Sequence, residues 1–493
     1  MTNTHELPDR FILAGELQSS TNTLPVHDKF TGDAMAAVSL AGPQEIEEAI
    51  TRGKAAEHNC AAIPPARRAE ILETMAGAVD ARSNEISLVL AREAGKPIQA
   101  ATVETERCIG TLRESARVVR EEFTGSGRLA DRAVLLTPDS ESPRVRGIIR
   151  RVPIGLCSMI TPFNFPLNLV AHKIGPAIAC GCPFVLKPAE RTPFTALLLG
   201  QLAIEAGYHP EGVSVLTCDV SDAGPFSEDE RFRLLSFTGS DKIGWQLRAR
   251  AAKMRAALEL GGDAAVIVSD QTDEATRAAA AKRIASAAYG YAGQSCISVQ
   301  RIIVVGNEAY SDLKSRLMDE IRGLKAGDPL DPGTFVGPLI DADAADRVES
   351  WIGEAVAGGA TELIGGERSG NTIMPTLLEG VPASCKLASE EVFGPVAHMI
   401  SADSFEEALA VVNGSRYGLQ TGVYSHDEDQ IQRAFSSLEV GGVVAGDVPT
   451  YRTDPMPYGG VKDSGVGREG PLYAAEDMTE PRLLIRRDQE TER

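Results

Sequence analysis

The stretch IGLCSMITPFNFPLNLVAHKIGPAIACGCPFVLK, residues 154–187, decides the fold class. Its first apolar run, 154–160, predicts a buried strand, and its last, 183–187, predicts the next strand. Between them, residues 167–179 carry apolar side chains at helical spacing. A strand, a helix and a second strand in so short a stretch predict a parallel βαβ unit, because parallel strands need a crossover connection.

The same alternation of short apolar runs and helical stretches continues along the chain on both sides. It predicts an α/β fold built on parallel sheets, with helices on both faces of each sheet. Further strands are predicted at 213–217, 233–237 and 256–260, and then, in a second α/β unit, at 264–268 and 301–306. Ligands of such sheets bind beyond the carboxyl ends of the strands.

The length of 493 residues predicts two or three domains. The tail run RLLIRR, residues 482–487, is strand-like and isolated. An unpaired edge strand needs a partner, and we expect that another subunit could supply it.

Composition excludes several classes of partner. Hydrophobic residues make up 43% and charged residues 24%, an ordinary globular balance. The net charge of −20 repels phosphate backbones and anionic lipids, so we expect neither nucleic acid nor membrane as a partner. The polar start MTNTHELPDR and eight scattered cysteines without a CxxC pair predict a reduced, cytoplasmic protein without a zinc or other metal site.

Three segments carry residues suited to acyl chemistry. In GQSC, Cys296 follows a turn that offers room and backbone N–H groups to a nucleophile. In LELGG, Glu259 ends a predicted strand, where partial burial would raise its pKa toward that of a general base. In PFNFP, Asn164 lies in a stiff loop that could aim its amide at an oxyanion. Each residue taken alone fits an inert cysteine, a solvated acid or a turn asparagine equally well.

Two further segments suit a nucleotide. In FTGSDKIG, Gly239 follows a strand and Gly244 opens a helix, whose N-terminus favours a pyrophosphate. This spacing is not the GxGxxG fingerprint, and an ordinary strand-to-helix turn explains it as well. In VLKPAE, Lys187 and Glu190 at a strand end suit ribose hydroxyls, and the carboxylate would repel a 2′-phosphate.

Taken together, these segments closely resemble the aldehyde dehydrogenase family. From about residue 10 to the C-terminus the chain carries, in order, PFNFP, KPAE, FTGSxxxG, LELGG, GQSC, EEVFGPV and YGGVKDSGVGREG. The resemblance implies two Rossmann-like open parallel-sheet domains plus a small oligomerisation hairpin. The implied bounds are 1–128 and 148–262 for the NAD(P)-binding domain, 263–465 for the catalytic domain, and 129–147 and 466–493 for the oligomerisation elements.

The resemblance implies roles for the catalytic residues. Cys296 matches the nucleophile that forms a thioester, Glu259 the base that activates water, and Asn164 the amide that stabilises the oxyanion. Lys173 and Glu480 match a secondary proton-relay pair.

The resemblance also implies NAD as the cofactor, with NADP possible. Glu190 favours NAD, because its carboxylate would accept hydrogen bonds from both ribose hydroxyls. The implied cofactor contacts are Thr161, Pro162, Phe163, Lys187, Glu190, Gly239, Ser240, Gly244, Leu260, Glu391 and Phe393.

The substrate contacts are expected at Arg113, His172, Ser295 and Arg452. The two arginines and the histidine resemble positions where semialdehyde- and phosphonoaldehyde-type members hold a distal anion, although surface arginines and a helical histidine usually have no special role. Some phosphate- or phosphonate-binding relatives have arginine where this chain has Ser295. We therefore expect a short carboxylate- or hydroxyl-bearing aldehyde, such as succinic semialdehyde or lactaldehyde.

Three other functions compete with this one on the sequence. A CoA-acylating relative would tend to lack the base, and Glu259 argues against it. A non-catalytic protein on the same scaffold would have lost Cys296, Glu259 or Asn164, and all three are present. A cysteine hydrolase without cofactor would not explain the KPAE and FTGS segments. The family forms homodimers or homotetramers, and the sequence does not choose between them.

Overall fold

The computed structural model describes residues 7–136 and 145–487, which form two large sheets, several small ones and the helices around them. In chain order the strands are β1 (Phe11–Leu13), β2 (Glu16–Gln18), β3 (Thr23–His27), β4 (Ala34–Ser39), β5 (Arg132–Leu135), β6 (Val145–Pro153), β7 (Cys157–Ile160), β8 (Phe184–Lys187), β9 (Val213–Val215), β10 (Leu234–Thr238), β11 (Arg255–Glu259), β12 (Ala265–Val268), β13 (Arg301–Val305), β14 (Thr361–Ile364), β15 (Arg368–Ser369), β16 (Thr372–Ile373), β17 (Thr376–Glu379), β18 (Val396–Ala402), β19 (Tyr417–Gly418), β20 (Gln420–Tyr424), β21 (Gly442–Ala445), β22 (Val461–Lys462), β23 (Gly465–Val466) and β24 (Thr479–Arg487).

Helices connect these strands and cover the sheets. They are α1 (Pro43–Ala55), α2 (Glu57–Ala62), α3 (Pro65–Ala81), α4 (Ser83–Glu93), α5 (Ile98–Glu121), α6 (Asn168–Cys180), α7 (Phe194–Glu205), α8 (Pro225–Glu228), α9 (Asp241–Arg250), α10 (Glu274–Tyr289), α11 (Asn307–Arg322), α12 (Ala342–Ala357), α13 (Lys386–Ser389), α14 (Phe405–Asn413), α15 (Glu428–Ser437) and α16 (Pro471–Asp477). Within the described ranges, none of these helices has the length and apolar character that crossing a membrane requires.

The first large sheet contains the predicted βαβ unit. Its order is β2-β1-β9-β8-β7-β10-β11-β23, and the strands from β9 to β11 run parallel. The helix of the unit, α6, is buried along its whole length and ends at Gly181, whose φ of 78° is the left-handed conformation that glycine adopts easily. The predicted α/β fold class is therefore confirmed.

The second large sheet has the order β14-β17-β18-β13-β12-β20-β21. All of its neighbouring strands run parallel except β14, which pairs antiparallel with β17. Its central strands β12 and β13 are buried and, apart from Arg301 at the start of β13, apolar, as strands covered by helices on both sides require.

The tail strand β24 finds its partner within its own chain. It pairs antiparallel with β6 from Thr479 opposite Pro153 to Arg487 opposite Val145, and β5 completes a three-stranded sheet. The expectation that another subunit supplies the partner of β24 is therefore wrong for the side of β24 that pairs with β6. The small sheet extends past the expected hairpin bound of 147, and residues 137–144 of that hairpin lie outside the described residues.

Candidate active site

A cleft of about 1210 Å³ lies where the parallel strands of the first sheet end. Thr161 follows β7, Lys187 ends β8, Gly239 follows β10 and Glu259 ends β11, and all four line the cleft. The opposite wall comes from the second half of the chain and includes Cys296. This is the edge at which open α/β sheets bind ligands.

A strained turn positions Cys296. Tyr291 and Ala292 have φ of 52° and 54°, values that residues other than glycine rarely adopt. The next residue, Gly293, has no room for a side chain, because a Cβ there would lie 2.1 Å from the carbonyl oxygen of Gly394. The turn presents the half-buried Cys296 to the cleft.

The thiol of Cys296 lies close to one polar side chain of the cleft among residues 7–136 and 145–487. Its Sγ lies 2.9 Å from the hydroxyl oxygen of Tyr458. Burial raises the pKa of the Cys296 thiol to about 12, and the Tyr458 hydroxyl opposes this effect. A group that removes the thiol proton, or a charge that favours the thiolate, is therefore needed for nucleophilic attack.

Asn164 is directly connected to the nucleophile's turn. Its amide Nδ2 donates to the carbonyl of Gln294 at 3.0 Å, two residues before Cys296, and its Oδ1 accepts from the N–H of Phe165 at 3.1 Å. An amide nitrogen carries two donors, so one N–H of Asn164 is left for a ligand. The side chain is buried and lines the cleft, as an oxyanion donor requires.

Glu259 is a buried carboxyl group without a hydrogen bond. Neither of its oxygens has a partner among the described residues, and the residue is only 4% exposed. Burial, and then the negative charge of Glu469, raise the pKa of Glu259 well above its ordinary value, while Arg452 and Lys173 lower it. A carboxyl group with a raised pKa in a cleft is a candidate general base.

The predicted pairing of Lys173 with Glu480 is wrong. Lys173 lies 3.6 Å from Glu469 and donates to Ser236 Oγ at 3.0 Å. Glu480 lies on β24, which runs along β6, and its carboxylate pairs with Arg255 at 3.0 Å. The partner Glu469, which was not predicted, stands inside the motif YGGVKDSGVGREG near the C-terminus.

Glu469 is held as a carboxylate by its cationic neighbours. It accepts a hydrogen bond from Arg452 at 2.9 Å. Although burial alone would raise its pKa, Lys173 and Arg452 lower the pKa of Glu469 to about 2. The charge of Glu469 therefore persists through the physiological pH range beside Glu259.

Of the five arginines that line the cleft, Arg107 and Arg452 are considered as anion contacts, and only Arg452 was predicted. Arg452 places its guanidinium 3.7 Å from the Tyr458 ring centroid, and Arg107 donates to Asp454 at 2.7 Å. In the described part of the chain, the Nε atoms of both arginines are buried and lack a hydrogen-bond partner. Such donors are suited to an anion in the cleft.

The structure corrects two of the predicted substrate contacts. Arg113 is exposed on α5 and pairs with Asp80 at 3.4 Å, away from the cleft. A helix turns by about 100° per residue, so Arg107, six positions earlier, lies on a different face. His172 is buried behind the cleft, where its Nε2 lies 3.0 Å from Asp454, the partner of Arg107.

The other end of the cleft has features that fit a dinucleotide. Lys187 and Glu190 form an ion pair at the end of β8. The first residues of α9 line the cleft, and among the described residues no side chain caps this N-terminus. Gly244 lies behind this turn, where a Cβ would be 2.3 Å from Leu260 Cδ2. Open N–H groups at a helix N-terminus beside a cation suit a pyrophosphate.

Glu391 and Phe393 also line the cleft. Glu391 accepts the N–H of Gly262 at 2.9 Å, and burial raises the pKa of its carboxyl to about 8. Phe393 has φ of 44° and packs edge-on against Phe163, with ring centroids 5.8 Å apart. The Glu391 carboxyl group suits the hydroxyls of a ribose, and the Phe393 ring suits a flat ring of the cofactor.

The cleft brings together most of the residues that the sequence singled out. Those that line it are Thr161, Pro162, Phe163, Asn164, Lys187, Glu190, Gly239, Ser240, Glu259, Leu260, Ser295, Cys296, Glu391, Phe393 and Arg452. Lys173, His172 and Gly244 are buried behind it, and Arg113 and Glu480 lie at the surface. Arg107, Tyr458 and Glu469 also line the cleft and were not predicted.

Comparison with known proteins gives one consistent family. The family model described as "Aldehyde dehydrogenase family" matches residues 17–484. The 3-sulfolactaldehyde dehydrogenase of Priestia aryabhattai is 39% identical over 472 residues, which cover 96% of each chain.

Solved structures of aldehyde dehydrogenases match the chain over nearly its whole length. Aldehyde dehydrogenase 21 from Physcomitrella patens, in complex with the reaction product succinate, matches with a TM-score of 0.93 and 40% identity over 98% of both chains. The glyceraldehyde-3-phosphate dehydrogenase of Methanocaldococcus jannaschii, complexed with NADP, matches with a TM-score of 0.89 and 33% identity over 95% of this chain and 100% of that one. The chain therefore belongs to the aldehyde dehydrogenase family and is an NAD(P)-dependent aldehyde dehydrogenase.

Proposed function

We propose that the enzyme oxidises a short aldehyde with a distal carboxylate or sulfonate to the corresponding acid, through a thioester on Cys296. The proposal rests on one observation. Cys296, Asn164 and Glu259 line the same cleft as Arg107 and Arg452, whose Nε donors have no hydrogen-bond partner among the described residues. Succinic semialdehyde is the carboxylate-bearing example expected from the sequence, beside the hydroxyl-bearing lactaldehyde.

In the proposed mechanism Glu259, the base in the same cleft, takes the proton of the Cys296 thiol and passes it to solvent. The thiolate then attacks the aldehyde carbon, and a thiohemiacetal oxyanion forms. The free N–H of the Asn164 amide and the backbone N–H of Cys296 stabilise that charge. Lys187, Glu190 and the N-terminus of α9 would hold NAD(P), which would supply the acceptor for the hydride whose loss turns the thiohemiacetal into a thioester. Glu259 then removes a proton from water, which attacks the thioester carbon, so that the acid leaves and the Cys296 sulfur is regenerated.

The hydrolytic outcome depends on Glu259. Its unpartnered oxygens and raised pKa suit a base that takes a proton and releases it in each cycle. A CoA-acylating enzyme would not need this group.

The anionic substrate is supported by charge in the cleft. Arg107 and Arg452 line the same cleft as Cys296, in a protein whose net charge is −20. Such a protein must provide a local positive field to hold an anion. The names of the related proteins, which refer to a sulfonated aldehyde, succinate and a phosphorylated aldehyde, agree with this choice.

For the cofactor we propose a preference for NAD. Glu190 ends the KPAE segment and lines the cleft, where its carboxylate would accept hydrogen bonds from both ribose hydroxyls and would repel a 2′-phosphate. The relative from Methanocaldococcus jannaschii was solved with NADP, so both cofactors need to be compared. The measurement is turnover with NAD and with NADP at equal concentrations.

The test compares Arg107→Met with the matched surface control Arg113→Met, using succinic semialdehyde and the uncharged butanal. Loss of a hydrogen bond between charged groups costs about 1.5–3 kcal/mol. We therefore expect kcat/KM for the anionic aldehyde to fall by roughly 10- to 150-fold in Arg107→Met and to stay unchanged in Arg113→Met.

Butanal oxidation should be nearly equal in both variants, and Cys296→Ala should abolish turnover of either aldehyde. An equal loss for the two aldehydes in Arg107→Met would reject the anion site. Retained turnover in Cys296→Ala would reject the nucleophile.

A further inference from the structure

A buried lysine lies beneath the catalytic loops without touching the cleft. Lys96 stands in the connection between α4 and α5, and its side chain is only 1% exposed. Its ammonium pairs with Glu104 and lies 3.7 Å from the Phe165 ring centroid and 4.5 Å from that of Tyr291. The two rings also pack edge-on against each other, with centroids 6.2 Å apart.

The two rings belong to the two loops that hold the reacting groups. Phe165 directly follows Asn164, and its N–H donates to the Asn164 side chain. Tyr291 is the first residue with positive φ in the turn before Cys296, and its hydroxyl donates to the carbonyl of Ala94 at 2.9 Å. The same short connection therefore contacts both loops.

Glu104 extends this contact to the start of α6. Its Oε1 accepts the N–H groups of Leu167 and Asn168 at 3.0 Å and 3.1 Å. These are the residues at which the loop of Asn164 becomes a helix. Through Glu104 and Phe165, Lys96 holds both ends of the segment that follows Asn164.

We propose that Lys96 is a positioning residue that sets the distance between the Asn164 amide and the Cys296 sulfur, by attracting the Phe165 and Tyr291 rings to one buried cation. The inference rests on the proposed roles of Cys296 and Asn164. A desolvated cation attracts aromatic faces more strongly than an exposed one does. A turn with two residues other than glycine at positive φ persists only where its surroundings hold it, and Tyr291 is the first of these two.

A structural role for the ion pair alone makes a different prediction. A buried ion pair can often be replaced by neutral groups without loss of stability, whereas removal of one partner leaves an uncompensated charge. If Lys96 only neutralises Glu104, then Lys96→Met combined with Glu104→Gln should restore both stability and rate. If Lys96 positions the rings, the double variant should regain stability and remain slow.

The experiment measures three quantities on the full-length enzyme: the thermal unfolding midpoint, the first-turnover rate of cofactor reduction, and the rate at which iodoacetamide alkylates Cys296. The matched control replaces the exposed pair Lys253 and Glu230 in the same way, by Lys253→Met with Glu230→Gln. We expect the Lys96 and Glu104 double variant to unfold near the wild-type temperature and to lose about 10- to 100-fold in first-turnover rate.

Its KM values and alkylation rate should stay close to wild type, because binding and the thiol itself are intact. Recovery of the wild-type first-turnover rate would overturn the proposal. Phe165→Leu keeps the ion pair and removes one ring, so it should show the same slow first turnover. A wild-type rate in that variant would also overturn the proposal, even if the double variant fails to fold. Retained turnover in Cys296→Ala, by contrast, would count against the proposed function and not against Lys96.

Discussion

The charge beside Glu259 sets the pH range in which this residue can act as a base. Burial and the neighbouring Glu469 raise the pKa of Glu259, so the carboxylate form appears only as the pH rises. Thioester hydrolysis should therefore increase with pH until Glu259 is deprotonated. Arg452 and Lys173 oppose this shift. The pH below which kcat falls, the acidic limb of its pH profile, therefore depends on the charges of Glu469, Arg452 and Lys173 together.

Glu469→Gln tests this dependence at the residue scale. The substitution removes a negative neighbour, which lowers the pKa of Glu259, so the acidic limb of kcat should move to lower pH by about one pH unit. The measurement is kcat from pH 5 to pH 9 with saturating aldehyde and cofactor. Glu480→Gln is the control, since Glu480 pairs with Arg255 at the surface and should leave the limb in place. A limb that stays fixed, or moves to higher pH, in Glu469→Gln would contradict the cause given for the raised pKa.

At the scale of elements, the end of β11 approaches the backbone of the nucleophile's loop. A Cβ on Gly262 would lie 2.2 Å from the carbonyl oxygen of Cys296, and one on Gly261 would lie 2.6 Å from Glu391 Oε2. A backbone carbonyl has little freedom to move away. The two glycines after Glu259 therefore let the first sheet and the loop of Cys296 approach closely.

Gly262→Ala should displace Cys296 relative to Asn164. We expect kcat to fall by roughly 10- to 100-fold, because a displacement of about 1 Å misaligns the reacting atoms. Gly77→Ala is the control: Gly77 lies within α3, and a Cβ there meets no atom within 4 Å. That change should leave kcat unaltered and raise the free energy of unfolding by about 0.5–1 kcal/mol. Activity assays and chemical denaturation check both values, and a wild-type kcat in Gly262→Ala would show that the loop adapts.

At the scale of the whole molecule, β24 pairs with β6 along one side, and its other side is an open sheet edge with exposed apolar side chains. Leu483, Leu484 and Ile485 of β24 are 46%, 50% and 54% exposed. β24 is an edge strand of its sheet, and β21 is an edge strand of the second large sheet. Exposed apolar edge strands favour association, and a homodimer or homotetramer remains our prediction.

Leu484→Glu should weaken that association. A charge on the apolar strand opposes its burial against a second copy, so light scattering should give a lower mass than for the wild type. Phe435→Glu, on α15 at 71% exposure, is a control away from this sheet and should keep the wild-type mass. If the wild type is already monomeric, or if Leu484→Glu keeps its mass, β24 is not the interface.

Local patterns in the sequence were sufficient to predict the fold class and to single out many of the residues that line the cleft. The alternation of apolar runs predicted β7, α6 and β8 close to their observed bounds, because hydrophobic periodicity depends on neighbouring residues. Glu259 and Asn164 stand in short motifs at the carboxyl ends of β11 and β7, so their meeting at one edge of the first sheet followed from the topology of parallel strands. The role of Cys296, which lies on the opposite wall between α10 and β13, followed from the family resemblance.

Only the tertiary structure decided which distant residues meet. Lys173 pairs with Glu469 and not with Glu480, because β24 turns away from the cleft to pair with β6. Arg107 and not Arg113 faces the cleft, because the rotation of α5 is set by packing that no local pattern records. The sequence by itself therefore determined the fold class and the candidate reacting groups, whereas the charges that tune them depend on contacts across the folded chain.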